Sequence, residues 1–263
     1  MSASSSPQLE IPRNGLGGSI TKGPIMSAVV LLSGGMDSAV ALYWAAKTFH
    51  LGTVYGLFID YHQRAAFAEQ RAASAVWAAC QSQYPNLKDY LNVVNIPTVG
   101  GLFVSQSSIQ GKSEVNQYKD VQEAVEKTST DNAYMPLRNA VFITIAAHHL
   151  LVYDKRGGHV IVGTRSRPDG PGGYADCTNE FSDKMTMALT QGADRPVTVV
   201  SPLNSFAPSR AKTIQLAQGL KGCFDALRHT VSCFHGTRCG HCLPCLRRQQ
   251  AFEAVGVTDP AST

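Results

Sequence analysis

The sequence predicts an α/β protein: a Rossmann-like parallel sheet with helices on both faces, followed by a small C-terminal zinc-binding lobe. Two observations carry this prediction. Short apolar runs of strand length alternate with segments of helical periodicity, the pattern of a parallel sheet covered on both faces. Beyond the last such pair, four of the seven cysteines lie close together, between Cys233 and Cys245. We therefore expect a tail at 1–26, an α/β domain at 27–222, and a zinc knuckle with a helix at 223–263.

Apolar runs of strand length and segments of helical periodicity follow one another along the chain. The predicted strands are Ala28–Ser33, Val54–Asp60, Leu91–Ile96, His159–Gly163 and Val197–Ser201. The predicted helices are Asp37–Phe49, Ala66–Cys80, Leu137–Tyr153, Glu180–Thr190, Arg210–Leu220 and about 246–255. Residues 97–131 are polar and lack periodicity, so we expect a lid or a disordered loop there. In such sheets, ligands bind beyond the carboxyl ends of the strands, and the loops of interest here follow strands.

Composition and charge restrict the kinds of partner that this chain can have. The formal net charge is +4 and no dense Lys/Arg run occurs, which permits a phosphate-bearing ligand without indicating a surface that coats nucleic acid. No apolar stretch reaches transmembrane length, and residues 1–26 lack the apolar block of a secretory signal. An odd number of cysteines without an export signal disfavours a disulfide framework. We therefore expect a cytoplasmic protein with a flexible N-terminal tail and no membrane partner.

The segment Leu-Ser-Gly-Gly-Met-Asp-Ser leads from the first predicted strand into the first helix. Its two glycines let the backbone approach an anion closely, so that N–H groups of the turn and of the helix N-terminus can point at phosphate. The candidate nucleotide-binding residues are Leu32, Ser33, Gly34, Gly35, Met36, Asp37 and Ser38. Asp37 would repel phosphate directly, so we expect it to hold Mg²⁺ that bridges phosphate oxygens. The alternative is a tight strand-to-helix turn in which Asp37 caps the helix.

The clustered cysteines have the spacing of a metal site. The four candidate ligands are Cys233, Cys239, Cys242 and Cys245. Four soft ligands that leave no open coordination position favour a structural, tetrahedral Zn²⁺. An iron–sulfur cluster is the main alternative, and His235 or His241 could replace one cysteine. A structural zinc ion would stabilise the short lobe and the helix that follows it.

The Ser-Gly-Gly-x-Asp-Ser loop after a buried strand resembles that of the N-type ATP pyrophosphatases, which have an adenine nucleotide alpha hydrolase-like fold. Together with the cysteine knuckle and three internal motifs, the chain resembles the QueC family of 7-cyano-7-deazaguanine synthases over approximately residues 27–257. The internal motifs are Ile-Asp-Tyr-His-Gln-Arg at 59–64, Tyr-Met-Pro-Leu-Arg-Asn at 134–139 and Gly-Tyr-Ala-Asp-Cys at 173–177.

The resemblance implies an ATP-dependent ligase that converts 7-carboxy-7-deazaguanine and ammonia to the nitrile through an adenylated intermediate. It also implies ATP, Mg²⁺ and Zn²⁺ as cofactors, and a homodimer. The implied catalytic residues are Asp37, Arg64, Arg138 and Asp176. The implied substrate-binding residues are Tyr61, Arg138, Asn139, Asp169, Tyr174 and Asp176.

Several of these residues also have structural interpretations. Arg64 and Arg138 could clamp phosphate or a substrate carboxylate in two-point fashion, or form surface salt bridges. Asn139 could cap the helix that follows it. Tyr174 could stack on a flat heterocycle or pack in the core, and Asp176 could bind metal or an amine, or cap the next helix.

The chain departs from the family pattern around the expected substrate cleft. Residues 163–172 replace a shorter segment, with Arg165 at the position of an asparagine, and differences also occur at His62 and at 209–212. The main alternative is therefore a QueC-like paralogue from a DNA-modification or antiphage system, which would transfer a deazaguanine to a protein or nucleic-acid acceptor. A non-catalytic nucleotide- or zinc-binding scaffold is the second alternative. A tRNA thiolase is disfavoured, because few cysteines outside the knuckle could serve its ATP site.

Overall fold

The computed structural model describes residues 26–97, 107–111, 113–127, 134–166 and 174–262. The strands are β1 Ser27–Leu31, β2 Val54–Asp60, β3 Leu87–Asn95, β4 Gly158–Ile161 and β5 Val197–Val200. The helices are α1 Met36–Thr48, α2 Ala66–Gln81, α3 Val121–Lys127, α4 Arg138–Tyr153, α5 Asn179–Ala193, α6 Pro202–Phe206, α7 Arg210–Gln218, α8 Cys223–Ala226 and α9 Leu243–Val255. The predicted tail, apart from Met26, and the predicted substrate residue Asp169 lie outside the described residues.

The strands form one parallel sheet in the order β3-β2-β1-β4-β5. In the central strand β1, Ala28 lies opposite Val54 of β2 on one side and His159 of β4 on the other. The chain moves outward from β1 through β2 to β3, and then returns to the far side of β1 to form β4 and β5. The strand order therefore reverses between β1 and β4, which is where open α/β sheets bind ligands beyond the carboxyl ends of the strands. The predicted Rossmann-like parallel sheet is confirmed.

Helices cover both faces of this sheet because its strands are apolar on both sides. Val30 of β1 packs in the cluster that contains Trp44 of α1 and Trp77 of α2. Its neighbour Val29 points to the opposite face, into the cluster that contains Ile143 of α4. The loops after the central strands consequently emerge at one edge, between two helical layers.

Each predicted strand and helix is present, and the differences concern element ends and short helices. β3 begins at Leu87 rather than at Leu91, because this edge strand carries polar and exposed side chains that interrupt its apolar pattern. α9 begins at Leu243 and has Pro244 in its first turn. Proline lacks an N–H, but the N–H groups of a first turn have no partner within the helix, so no helical hydrogen bond is lost. The helices α3, α6 and α8 were not predicted. Among the helices that the structure describes, none has the length and apolarity that crossing a bilayer requires.

Candidate active site and metal centre

The turn between β1 and α1 requires glycine. Gly34 has a φ of +78°, and a Cβ atom there would lie 2.3 Å from the carbonyl oxygen of Glu69 in α2. Only glycine adopts this conformation without displacing α2. Gly35 follows at the N-cap position of α1, and no side chain of the described residues caps the helix there. The N–H groups at the start of α1 are therefore available to an anion.

Two serines stabilise the conformation of this loop. Ser38 Oγ lies 3.1 Å from Ser33 Oγ and donates a hydrogen bond to the carbonyl of Gly35 at 3.0 Å. The N–H of Ser33 donates to Ser38 Oγ at 3.2 Å. The loop is thus shaped by its own side chains before a ligand binds, which lowers the entropic cost of binding.

The end of β4 packs directly on the first turn of α1. A Cβ atom on Gly163 would lie 2.7 Å from the Cα atom of Ser38 and 2.8 Å from its backbone nitrogen. Any side chain at this position would therefore push the strand end away from the helix. The close approach brings the segment 164–166 beside Asp37.

A cavity of about 420 Å³ opens at the carboxyl edge of the sheet. It lies between the loop 32–38, which we call the phosphate loop after its predicted ligand, and the C-terminal lobe with the four clustered cysteines. Its charged lining residues are the carboxylates Asp37 and Glu69 and the arginines Arg138, Arg165, Arg210, Arg247 and Arg248. Cations outnumber anions among these described residues, so the cavity favours an anionic ligand such as phosphate or a carboxylate. Six of the seven predicted loop residues line the cavity: Leu32, Ser33, Gly35, Met36, Asp37 and Ser38. The seventh, Gly34, packs against α2 instead.

Asp37 has one paired and one unpaired carboxylate oxygen. Its Oδ2 lies 3.4 Å from Nη2 of Arg165, whereas its Oδ1 is buried and has no hydrogen-bond partner among the described residues. A buried anion without a partner is costly, and a divalent cation would satisfy it. Carboxylate oxygens and water are the ligands that Mg²⁺ prefers, so Asp37 fits the predicted magnesium ligand.

Tyr61 and Arg138 form one wall of the cavity, beyond the end of β2. Nη1 of Arg138 lies 3.4 Å from the Tyr61 hydroxyl, and the guanidinium also lies 6.0 Å from the centre of that ring. Burial raises the pKa of Tyr61, so its hydroxyl stays protonated. Gln63 donates to Oε2 of Glu69 at 2.9 Å on the same wall, and burial raises the pKa of that carboxyl. The wall combines a cation with neutral and anionic hydrogen-bonding groups.

Asp176 supports the site without lining the cavity. Its Oδ2 accepts a hydrogen bond from the N–H of Asn139 at 3.3 Å, so it caps α4 and not the helix that follows it in the chain. Thr178 caps that following helix, α5. The Asn139 side chain donates to Cys177 Sγ at 3.4 Å, and burial raises the pKa of this thiol to about 12. Tyr174 lines the cavity and stacks on Tyr134, with ring centres 5.1 Å apart.

Arg64, like Asp176, is a predicted catalytic residue that does not line the cavity. Its Nε donates to the carbonyl of Ser108 at 3.2 Å and its Nη2 to the carbonyl of Ser113 at 2.9 Å. These bonds hold Ser108 and Ser113, and Ile109 beside Ser108 lines the cavity. Arg64 therefore contacts the cavity only through another residue.

Several cavity residues were missed by sequence reasoning. Glu69 lies on α2, and Arg247 and Arg248 lie on α9. In the sequence they look like the polar residues of an exposed helix face, and no local motif marks them. The one available signal was the position of Arg247 and Arg248 just after the cysteine knuckle, which places them near the N-terminus of a helix.

The four predicted zinc ligands converge in the structure. Their Sγ atoms all lie within 4.8 Å of one another, and those of Cys233 and Cys242 are 3.9 Å apart. A tetrahedral zinc ion with four thiolates has sulfur–sulfur edges of about 3.8 Å, so these residues fit zinc. The N–H of His235 donates to Cys233 Sγ at 3.4 Å, and the N–H of Cys242 donates to Cys239 Sγ at 3.3 Å. Such bonds stabilise thiolate charge around a metal.

Arg248 ties the C-terminal lobe to the phosphate loop. Its guanidinium forms a two-point ion pair with Asp259 at 2.7 and 2.9 Å and donates to Thr230 Oγ1 at 2.7 Å. All three residues are buried. The next residue, Val231, donates its backbone N–H to the carbonyl of Gly34 at 2.9 Å. The lobe therefore contacts the phosphate loop at Gly34, while the other residues of the loop face the cavity.

Comparisons with known proteins identify the family to which this chain belongs. The family described as "Queuosine biosynthesis protein QueC" matches residues 27–256. The chain is similar to a 7-cyano-7-deazaguanine synthase of Chromobacterium violaceum, with 31% identity over 237 residues that cover 89% of this chain and 92% of the relative. It is also similar to a protein of the same name from Acidovorax sp. strain JS42, with 34% identity and coverages of 88% and 94%. A third relative of that name, from Helicobacter acinonychis, shares 30% identity, with coverages of 86% and 95%. The chain belongs to the QueC family.

Proposed function

We propose that this protein is an ATP-dependent carbon–nitrogen ligase that converts 7-carboxy-7-deazaguanine and ammonia to 7-cyano-7-deazaguanine, with release of AMP and pyrophosphate. The observation that carries the proposal is the phosphate loop at the switch point of the sheet, which opens into an arginine-rich cavity beside Asp37. The relatives are 7-cyano-7-deazaguanine synthases by name, which supports the choice of substrate.

The proposed chemistry needs two activations by ATP. Ammonia does not add to a carboxylate, because the group is anionic and has no good leaving group. Attack of the carboxylate oxygen on the α-phosphorus of ATP gives an acyl adenylate and pyrophosphate, and ammonia then displaces AMP to form the amide. A second ATP adenylates the amide oxygen and releases a second pyrophosphate, and loss of AMP and of both amide protons leaves the nitrile.

The phosphate loop supplies the groups that stabilise the leaving pyrophosphate. N–H groups at the start of α1 and the hydroxyl groups of Ser33 and Ser38 would hold its oxygens. Mg²⁺ held by Asp37 would neutralise negative charge on the phosphates. The cavity arginines would complete this neutralisation, and donors that are already in place cost little reorganisation during the reaction.

The substrate would occupy the part of the cavity next to the β2 end. Arg138 and Tyr61 suit its carboxylate, and the ring of Tyr174 suits stacking on a flat heterocycle. Asn139 and Asp176 would keep the N-terminus of α4, and with it Arg138, in place. Arg64 would act through Ser108 and its neighbour Ile109, and Asp169 stays a predicted substrate contact.

We further propose that the protein is cytoplasmic, needs no macromolecular acceptor and forms a homodimer. Light scattering after gel filtration tests the last point. A mass of twice 28.2 kDa is expected, and a monomer would contradict it.

The activity is tested with purified protein, ATP, Mg²⁺, ammonium and 7-carboxy-7-deazaguanine, followed by mass spectrometry. Formation of the nitrile together with AMP is the expected result. AMP without nitrile, with the deazaguanine mass on a protein or nucleic acid, would indicate the paralogue instead. No cleavage of ATP would leave only a nucleotide- or zinc-binding scaffold.

A variant at Asp37 separates catalysis from folding. Asp37→Ala should lose AMP formation while retaining the metal of the cysteine centre, because the two sites use different residues. Asp225→Ala removes an exposed carboxylate of α8 and serves as the matched control, with unchanged activity expected. Full activity of Asp37→Ala would contradict the metal role of Asp37.

A further inference from the structure

We propose that Arg165 and Asp37 form an exchangeable ion pair: Arg165 neutralises Asp37 in the ligand-free protein and moves onto the nucleotide phosphates when a divalent cation binds Asp37. This inference rests on the proposed function and assigns one residue a role in it.

The bonds that Arg165 makes to its two partners are long. Its Nη2 lies 3.4 Å from Asp37 Oδ2 and its Nη1 lies 3.3 Å from Thr213 Oγ1. Strong charge-assisted bonds between nitrogen and oxygen measure about 2.7–2.9 Å. The side chain is nevertheless only 8% exposed. Arg165 is therefore buried beside the cavity and weakly held there.

A guanidinium group has five N–H donors, which is more than Asp37 and Thr213 use. Among the described residues, these two are its hydrogen-bond partners. Because the side chain lines the cavity, its unused donors can reach an anion that enters. Planar donor pairs of this kind match two oxygens of a phosphate.

Asp37 is incompletely satisfied by this arginine. Its Oδ1 is buried without a partner in the described part of the chain, although Oδ2 faces the guanidinium. A divalent cation can take Oδ1 and carries twice the charge of a guanidinium. Once bound, it repels the arginine at short range and so weakens the existing ion pair.

The exchange requires movement of one side chain only. Because Gly163 has no side chain, the backbone after β4 packs directly against the first turn of α1. This packing keeps the backbone before Arg165 close to Asp37 and Ser38. The same turn presents its N–H groups to the expected phosphate. A rotation of the Arg165 side chain is therefore enough to move its charge from the carboxylate to a phosphate oxygen.

The test measures two affinities that should change in opposite directions. Mn²⁺ binding is followed by electron paramagnetic resonance without nucleotide, and binding of the magnesium complex of α,β-methylene-ATP is followed by calorimetry. Arg165→Met should bind Mn²⁺ about tenfold more tightly, the factor that corresponds to about 1.4 kcal/mol. It should bind the nucleotide analogue about tenfold more weakly and form AMP about 10²–10³-fold more slowly, as when one charge-stabilising donor is removed.

Three further variants make the result specific. The double variant Asp37→Asn/Arg165→Met should not show the gain in Mn²⁺ affinity that Arg165→Met shows alone. Arg195→Met removes an exposed arginine at the start of β5 and should change neither affinity. Arg165→Lys keeps the charge without the planar donor pair and should fall between the wild type and Arg165→Met, which provides a second measurement if the latter folds poorly.

Weaker binding of both ligands by Arg165→Met would indicate a merely structural role and overturn the proposal. Unchanged Mn²⁺ affinity would also overturn it, as would an unchanged nucleotide affinity. Failure of the proposed function is distinguishable: the wild type would form no AMP, while the two binding measurements would still report on the exchange.

Discussion

Val231 donates its backbone N–H to the carbonyl of Gly34 at 2.9 Å, and this bond joins the C-terminal lobe to the phosphate loop. Neither residue lies in a helix or strand. The position of the loop therefore depends on the segment before the cysteine centre, which Arg248 and Thr230 hold in turn. Damage to the lobe should weaken nucleotide binding even when the loop sequence is intact.

The buried ion pair between Arg248 and Asp259 gives the first prediction. Asp259→Asn leaves a buried guanidinium without its counter-charge, which costs about 3–5 kcal/mol of unfolding free energy. Nucleotide affinity should fall as well, because Arg248 holds the segment that contains Val231. Denaturant unfolding and calorimetry measure the two effects. Asp225→Asn in an exposed pair is the control and should change stability by less than about 1 kcal/mol. Equal behaviour of the two variants would contradict the prediction.

Gly34→Ala tests the close approach of the loop to α2. The added Cβ would meet the carbonyl oxygen of Glu69, and the positive φ disfavours any side chain, so we expect a loss of about 1–3 kcal/mol and weaker nucleotide binding. Gly192→Ala is the control, because no atom of the described part of the chain lies within 4 Å of its added Cβ and the residue lies in α5. That variant should be neutral or stabilised by about 0.5–1 kcal/mol. Thermal and denaturant unfolding measure the change in stability of both variants, and an equal change in the two would contradict the prediction.

The cysteine centre predicts one bound metal ion per chain. Cys242→Ser should lose that ion and destabilise the lobe, since structural zinc sites contribute binding energy to folding. Cys80→Ala removes a buried cysteine of α2 outside the cluster and should retain the metal. Elemental analysis of both proteins gives the metal content and distinguishes zinc from iron. Retention of metal by Cys242→Ser would show that the cluster is not the site.

His159 predicts a dependence of stability on pH. Burial lowers the pKa of its imidazole to about 4, below the 6.5 of an exposed histidine. The unfolded chain therefore binds a proton more readily than the folded one between these values. The associated stability is complete above pH 6.5 and is lost as the pH falls towards 4, up to about 3 kcal/mol.

The slope of unfolding free energy against pH, measured between pH 6.5 and 5, tests this assignment. It should be shallower in His159→Leu, which has no titrating group at that position. His50→Leu replaces an exposed histidine and should keep the wild-type slope. An unchanged slope in His159→Leu would assign the dependence to other groups.

The features that sequence predicted well are local ones. The phosphate loop needs two glycines and a following helix within a few residues, and the structure gives Gly34 the positive φ that explains the residue type. The cysteine spacing likewise limits the distance that four sulfur atoms can span. The alternation of strands and helices was sufficient to predict the parallel sheet, because the apolar pattern of each element can be recognised from its own residues.

The features that sequence did not predict depend on contacts distant along the chain. Arg64 was expected at the cavity, but its side chain is oriented by hydrogen bonds to the carbonyls of Ser108 and Ser113. Sequence periodicity does not predict such long-range hydrogen bonds. Glu69 looks like an ordinary polar residue of α2 until the sheet places that helix face beside the loop. The short helix α8 has too few residues for a period to show.

The location of Asp259 bears on where this chain can be cut. The match to the QueC family stops at residue 256, and a fragment trimmed there would keep every strand, the phosphate loop and all four cysteines. It would nevertheless bury the guanidinium of Arg248 without a counter-ion. We therefore expect the minimal folding unit of this protein to extend past the boundary that sequence similarity defines, as far as Asp259.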